Sequence, residues 1–217
     1  MFNELYGLNQ AVLDLIKTNT RRIITCPKSF KGQEVCGFYV YRRMSDNAVF
    51  GYPIMYDADG FDIEGAYILP KYKVGEVVAI AQSYKEAGIN PKAVIGLPIK
   101  GSKTKGVLQC EAQHTPGWTN KMFVRADLMP HHIRITNVRM ERLNDISESD
   151  CRAEGIDYVN GYSESYFFGF GVKTDKGWIK LGNTPREAYA ALIDKISGKG
   201  TWDSNPYVFV YDFELVD

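Results

Sequence analysis

The sequence predicts an α+β fold, built on a curved and mostly antiparallel β-sheet or small barrel with about three helices. Three observations support this prediction. Many short tracts have the composition and period-two pattern of strands, few have helical periodicity, and strands and helices do not alternate in the βαβ order of a parallel sheet. The chain has 217 residues, of which 45% are hydrophobic, so it can bury a sizeable core. We predict one domain over residues 1–217, with insertions at about 26–70 and 85–120.

The amino-terminal half of the chain begins with a helix and continues as strands. Four apolar residues recur at helical spacing and predict a first helix that packs on the core: Leu8, Val12, Leu15 and Ile16. Strands are predicted at residues 22–25, 35–41, 48–56, 61–69 and 74–82. Ser45-Asp46-Asn47 is a hairpin turn between two of them, and residues 57–60 form the next turn. Residues 85–120 are rich in glycine and proline, which predicts an irregular insertion with one strand at 106–110.

The carboxy-terminal half contains the clearest helix signals. A long strand is predicted at residues 133–143, with a bulge near Thr136-Asn137 where the apolar positions change phase. A capping box at 147–150 opens a helix that ends near Glu154-Gly155. Another box at 184–187, with proline at the first helical position, opens the strongest helix, which ends at Gly198. Its expected buried stripe is Tyr189, Leu192, Ile193 and Ile196. Residues 207–215 alternate with period two and predict a central closing strand.

The charge of the chain is balanced overall but uneven along the sequence. Lysine and arginine together number 26, as do aspartate and glutamate, so no global field draws the protein onto nucleic acid. Residues 17–43 hold seven cations and one acid, and residues 100–142 hold eight cations and three acids. Residues 44–66 and 144–164 are acidic. Two basic segments that met in space would form a local anion site, and the alternative is ordinary alternation of solvated faces.

Nothing in the sequence predicts export or a membrane partner. Met1-Phe2-Asn3-Glu4 lacks the basic start and the long apolar run of a signal peptide. No stretch approaches the roughly 18 to 20 apolar residues that span a bilayer. The four cysteines are spread without a CxxC pair, at Cys26, Cys36, Cys110 and Cys151. We therefore expect a cytoplasmic protein with reduced thiols.

The candidate metal ligands are poorly spaced, and we predict neither a metal site nor another cofactor. His131 and His132 are adjacent, so in a strand they point to opposite faces. Cys110 and His114 have no second spaced pair of ligands. The glycine of residues 57–60 comes too early for an EF-hand loop, which favours a hairpin turn there.

The end of the first predicted helix carries the most informative group of polar residues. This group contains Lys17, Thr18, Thr20, Arg21 and Arg22. Cations and hydroxyls at an element boundary suit a phosphate, a nucleobase edge or a carbonyl oxygen. The alternative interpretation is a solvated basic turn.

Residues 13–22, Leu-Asp-Leu-Ile-Lys-Thr-Asn-Thr-Arg-Arg, resemble the amino-terminal signature of the ASCH domain family, a branch of the PUA-like superfamily. That signature ends in Lys-Thr-x-Thr-x-Arg, and Leu15-Ile16 stands where Gly-Arg is common. Residues 139–156 resemble the family's strand and acidic helix, and residues 200–207 are similar to larger members from phages and prophages. Residues 73–77 are a weaker match, and the four pieces occur in family order over about a third of the chain.

This resemblance implies a PUA-like, mixed and mostly antiparallel β-barrel, with the first helix and the acidic helix over one opening. It also implies a module that binds RNA, a nucleotide or a modified nucleoside in a pocket between these helices. Lys17, Arg21 and Arg22 are then expected to contact phosphate or a base edge, and Trp202 or Tyr207 to stack a base. Thr18 completes the expected set of ligand-binding residues. Packing under the last strand is the alternative role of Trp202.

A small branch of the same family is similar to an amidohydrolase that removes acyl groups from the exocyclic nitrogen of modified cytidine. The resemblance implies catalytic roles for Lys17, Thr20 and Glu154. A hydroxyl nucleophile needs a nearby base, which a partly desolvated lysine supplies, and a carboxylate can carry the proton to the leaving nitrogen. Arg21 or Arg22 would stabilise the oxyanion. Two alternatives stay open: a structural salt bridge between Lys17 and Glu154, and a phage accessory protein without ligand chemistry.

Overall fold

The computed structural model describes residues 5–45, 49–90, 115–159 and 169–216. The fold is α+β, as predicted, with mostly antiparallel strands, a curled half-barrel sheet and few helices. The helices are α1 (Leu8–Leu13), α2 (Glu148–Ala153), α3 (Pro185–Ser197) and α4 (Thr201–Ser204), with 3-10 turns at Lys121–Phe123, Ala126–Leu128 and Leu143–Asp145. The strands are β1 (Asn19–Ile23), β2 (Ser29–Phe30), β3 (Gln33–Glu34), β4 (Gly37–Arg42), β5 (Val49–Tyr56), β6 (Asp62–Tyr67), β7 (Val77–Ala79), β8 (His132–Arg142), β9 (Asp157–Tyr158), β10 (Phe170–Thr174), β11 (Gly177–Gly182) and β12 (Tyr207–Leu215). No helix within these ranges has the length and apolar content needed to cross a bilayer.

The main sheet has the order β1-β12-β8-β7, and every pairing in it is antiparallel. The strand predicted at 207–215 is β12, and it lies inside the sheet as expected. On β8, Asn137 pairs with Asp212 and Ile135 with Phe213, so Thr136 is the extra residue of a bulge. The predicted bulge at Thr136-Asn137 is therefore confirmed.

The register of the main sheet separates its residues into two faces. Arg21, Val210 and Arg139 form one row across β1, β12 and β8. The next row on the same face is Asn19, Asp212 and Asn137. On the opposite face, Thr20 pairs with Tyr211 and Arg22 with Phe209. The first face is thus rich in charge, whereas the second is aromatic, because neighbouring residues of a strand point to opposite sides.

Both predicted capping boxes begin the helices as expected. The Ser147 hydroxyl accepts a hydrogen bond from the backbone N–H of Asp150, and the Thr184 hydroxyl accepts one from that of Glu187, each at 3.1 Å. Helix α2 gives way to Gly155 at φ 100°, a left-handed conformation that favours glycine. In α3 the predicted stripe is buried at Tyr189, Leu192 and Ile193, but Ile196 is 37% exposed, because it lies at the rim of a cavity in the last turn.

The first helix is shorter than predicted, and the strand after it begins earlier. Leu15 has φ 59° and is 65% exposed, so its predicted place in the buried stripe is wrong. The chain turns there because the N–H groups of Ile16 and Lys17 both donate to the carbonyl of Ala11, at 2.9 Å. A leucine thus adopts a left-handed conformation that usually favours glycine. Pairing with β12 already begins at Asn19, so most of the basic group lies within β1 and not before it.

Residues 29–67 build two small sheets beside the main one, β2-β3 and β4-β5-β6. The predicted hairpin is confirmed in the pairing of β4 with β5, although residues 46–48 of its turn lie outside the described part of the chain. The predicted turn at residues 57–60 is also confirmed, because the Asp57 carboxylate accepts hydrogen bonds from the N–H groups of Asp59 and Phe61. The β4-β5-β6 sheet covers a second small core of Val35, Met55, Ile63 and Ala66.

Two further predictions concern residues 74–120. The strand predicted at 74–82 is confined to β7, which pairs with the start of β8. The strand predicted at 106–110 lies outside the described residues, as do Cys110 and His114. The single domain over 1–217 and the extent of its insertions stay predictions.

Candidate functional site

A cavity of about 550 Å³ opens beside the outer edge of β1. Its polar lining residues are Lys17, Thr20, Arg21, Arg22, Lys121, Glu154 and Ser197. Its apolar wall comes from the start of the chain and from α3, and includes Leu5, Leu8, Tyr189, Leu192 and Ile193. The volume is within the range of roughly 300 to 1,000 Å³ that is typical of small-molecule sites.

The structure brings five of the seven predicted site residues to this cavity. These are Lys17, Thr20, Arg21, Arg22 and Glu154. Thr18 and Trp202 are not among its described lining residues. The backbone of Thr18 instead joins α2 to β12, since its N–H donates to Ala153 O and its carbonyl accepts from Phe213 N. Trp202 packs edge-on against Tyr189, with ring centroids 6.2 Å apart.

Lys17 and Glu154 form a buried ion pair at the end of the cavity. The Lys17 ammonium donates a short hydrogen bond to Glu154 Oε2 and a second, at 3.0 Å, to the Glu154 carbonyl. The two side chains are 1% and 7% exposed. Lys17 follows the turn after α1, and Glu154 ends α2, so the pair ties the amino terminus to a helix 137 residues away.

Burial lowers the pKa of Lys17, against the opposing field of Glu154. The nearby guanidinium groups of Arg22 and Arg21 lower the pKa further, because they repel a second positive charge. Deprotonation of Lys17 to the neutral amine therefore costs less free energy here than in water. An amine in this condition can act as a base.

Arg21 lies at the centre of a larger group of charges. Its Nε and Nη2 donate to Glu141 Oε1, at 3.0 and 2.7 Å, and Nη2 also donates to Asp150 Oδ2 at 2.9 Å. Its Nη1 donates to Glu154 Oε1 at 3.3 Å. Burial opposes the positive charge of Arg21, but Glu154 and Glu141 more than offset it and raise its pKa. Arg21 is therefore a permanent cation that holds three carboxylates.

A second arginine closes this group on the solvent side. Arg139 donates to Asp150 Oδ2 at 2.9 Å, to Glu141 Oε2 at 3.4 Å, and to Asp212 in a short contact. We call the whole set the ion cluster; it comprises Lys17, Arg21, Arg139, Glu141, Asp150, Glu154 and Asp212. Four members were not predicted from the sequence as site residues: Arg139, Glu141, Asp150 and Asp212. Arg139 and Glu141 carry a weak signal, since opposite charges two residues apart in a predicted strand share a face.

Two other ionisable groups near the cavity are neutral at ordinary pH. Burial raises the pKa of Tyr189 well above its usual value, and the ring centroid of Tyr189 lies 5.9 Å from the Arg21 guanidinium carbon. Burial also raises the pKa of the Cys151 thiol to about 11. Cys151 is therefore a packing residue and not a nucleophile, because the thiolate is the reactive form.

Thr20 and Arg21 reach the cavity from opposite faces of β1. Thr20 pairs with Tyr211 on the aromatic face, whereas Arg21 belongs to the ion cluster on the charged face. Both can border one cavity because β1 has a single sheet neighbour, β12, among the described strands. Any ligand that touches both residues must therefore curve around the edge of β1.

Comparisons with known proteins do not place the chain in a family. No family model, curated protein or solved structure matches it. Over the described ranges, no three histidine, cysteine, aspartate or glutamate side chains are grouped so that they could hold a metal ion. The site is therefore characterised by its own geometry: a buried ion pair and a cationic wall that face an apolar wall.

Proposed function

We propose that this protein is a PUA-like, ASCH-type module that binds a modified nucleoside, a nucleotide or RNA in the cavity beside β1. The observation that carries the proposal is the composition of the two walls. Four cations and one carboxylate line the polar wall, which favours an electron-rich or anionic ligand. The apolar wall, with the neutral ring of Tyr189, suits a planar base.

Arg22 provides the cleanest test of binding, because it lines the cavity without belonging to the ion cluster. We expect Arg22→Ala to weaken binding of cytidine acetylated on its exocyclic nitrogen by roughly tenfold, since a hydrogen bond to a charged group is lost. Isothermal titration calorimetry measures the affinity. Arg134→Ala is the matched control, because Arg134 forms an exposed ion pair with Glu214 on the same sheet. Equal affinities of the wild type and Arg22→Ala, or no binding of any nucleoside or RNA by the wild type, would contradict the proposal. The latter result would favour an accessory protein.

A second candidate function is deacylation of a modified cytidine, and the lowered pKa of Lys17 favours it. Lys17 would remove the proton from the Thr20 hydroxyl, whose oxygen attacks the acyl carbonyl. The C–N bond then breaks and the acyl group passes to Thr20, while Glu154 accepts from the Lys17 ammonium the proton taken from Thr20 and passes it to the leaving nitrogen. Water hydrolyses the acyl-threonine ester and restores the hydroxyl. Arg22, at the cavity wall, would stabilise the oxyanion.

The hydrolase hypothesis predicts a particular dependence on pH. The active form holds neutral Lys17, so kcat/KM for acetylcytidine is expected to rise with pH and to level off below the ordinary lysine value of 10.5. The midpoint is shifted downward because burial disfavours the ammonium. Thr20→Val should lower the rate by roughly 10² to 10⁴-fold without moving the melting temperature appreciably. A rate that falls with rising pH, or a fully active Thr20→Val, would exclude this mechanism.

A further inference from the structure

A second cavity, of about 410 Å³, lies on the aromatic face of β1. Arg22 and Ile23 line it as well as the first cavity. Ile24 and Thr25 continue this side of its wall. The rest comes from Ile68, Leu69, Lys71 and Tyr72, which follow β6, and from Phe209 and Tyr211 of β12. The two cavities are therefore neighbours along β1, and Arg22 borders both.

The chemistry of the second cavity suits an anion. Its cations are Arg22 and Lys71, and no described residue that lines it is acidic. Its hydroxyl groups belong to Thr25, Tyr72 and Tyr211. This composition differs from that of the first cavity, where Glu154 offsets part of the positive charge.

Tyr211, which lines the second cavity, has a hydroxyl proton that it can donate to such an anion. Its phenolic oxygen accepts a hydrogen bond from the backbone N–H of Lys71 at 2.9 Å, which leaves its own proton to donate. Burial raises the pKa of Tyr211, so the phenol keeps that proton. The ring of Tyr72 packs edge-on against Tyr211, with centroids 5.6 Å apart, and the Lys71 ammonium lies 5.3 Å from the Tyr72 ring centroid.

We propose that the second cavity holds a phosphate group of the ligand whose base occupies the first cavity, with Arg22 between them. The preferred ligand is then a nucleotide or a short single strand that curves around the edge of β1, and not a free nucleoside. This inference rests on the proposed binding function and names the substrate class of the same site. A guanidinium is suited to the shared position, since it can donate to a base edge and a phosphate at once.

The test compares ligands that differ only in phosphate. Acetylcytidine, its 3′- and 5′-monophosphates and an acetylcytidine dinucleotide are titrated into the wild type, Lys71→Ala and Lys73→Ala. Lys73 is the matched control, because it is exposed nearby but is not among the described lining residues of the second cavity. One of the two monophosphates is expected to bind the wild type roughly tenfold more tightly than the nucleoside does. The Lys71→Ala variant is expected to bind that monophosphate and the nucleoside with equal affinity. If the dinucleotide binds more tightly than the preferred monophosphate, the ligand is a nucleic-acid strand. If the two bind equally, the ligand is a mononucleotide.

Two results overturn this inference while leaving the proposed function intact. The first is equal affinity of the wild type for the nucleoside and both monophosphates, with Arg22→Ala still weakening the nucleoside. The second is a Lys71→Ala variant that weakens the nucleoside as much as the nucleotides. If the wild type binds neither acetylcytidine, its phosphates, any other nucleoside nor RNA, the proposed function itself fails. Salt provides an independent readout, because loss of one phosphate contact should reduce the slope of log K against log salt by about 0.7 for a single strand.

Discussion

Replacing Lys17 by methionine is expected to lower the free energy of unfolding by about 3 kcal/mol, because Glu154 would keep its charge in a buried site without its nearest cation. The value is placed at the lower end of the usual range because Arg21 Nη1 still lies 3.3 Å from the other oxygen of Glu154. Urea denaturation followed by circular dichroism measures the change, provided that the transition is two-state.

The matched control removes both charges together. In the double variant Lys17→Met, Glu154→Leu, apolar side chains replace the pair, and most of the lost stability is expected to return. Arg134→Met provides the second comparison, because its exposed ion pair with Glu214 should contribute less than about 1 kcal/mol. A single Lys17→Met variant that loses no more stability than Arg134→Met would show that the buried pair is not held as described.

The double variant also separates a structural role of the pair from a functional one. If it folds but neither binds nor deacylates acetylcytidine, the pair acts on the ligand. If it folds and retains both properties of the wild type, Lys17 and Glu154 form only a salt bridge between the amino terminus and α2. Activity in a single Lys17 variant cannot make this distinction, because unfolding would abolish activity in either case.

Replacing Arg21 by lysine is expected to cost about 2 to 3 kcal/mol, although the formal charge is unchanged. Arg21 uses three nitrogens to contact Glu141, Asp150 and Glu154, and its side chain is 1% exposed. A lysine ammonium is a single point charge and cannot span three carboxylates in that geometry. At least one of these three carboxylates is then left without its charged hydrogen bond, which accounts for the expected loss.

The control for Arg21 is the same substitution at Arg139. Arg139 also contacts three carboxylates, two of them shared with Arg21, but its side chain is 32% exposed. Water can replace lost contacts there, so Arg139→Lys is expected to cost less than about 1.5 kcal/mol. Both variants are compared by urea denaturation at the same pH and ionic strength. If Arg139→Lys is as destabilising as Arg21→Lys, burial is not the reason for the effect.

Several elements of the fold were predictable because their signals are local. The caps at Ser147 and Thr184 depend on groups three residues apart, and the bulge at Thr136-Asn137 depends on a change of phase within one strand. The end of the first helix was less predictable. Leucine at position 15 continues an apolar stripe, but the backbone there is left-handed, because Ile16 and Lys17 share the carbonyl of Ala11.

The candidate site was only partly predictable. The sequence singled out Lys17, Arg21, Arg22 and Glu154, and these residues meet at one cavity. It did not indicate that Arg21 is enclosed by three carboxylates while Arg22 borders two cavities. Adjacent arginines look alike in a sequence, and their different surroundings follow from strand alternation.

The amino-acid sequence by itself determined the α+β class, the helix boundaries with strong caps, the interior strand β12 and the identity of most charged residues that line the first cavity. The tertiary structure alone decided which charges are buried and with which partners. The physical reason is the antiparallel register of β1, β12 and β8, which places Arg21 and Arg139 in one row and brings α2 over them. That register depends on contacts between residues more than 60 positions apart, and no local pattern in the sequence specifies them.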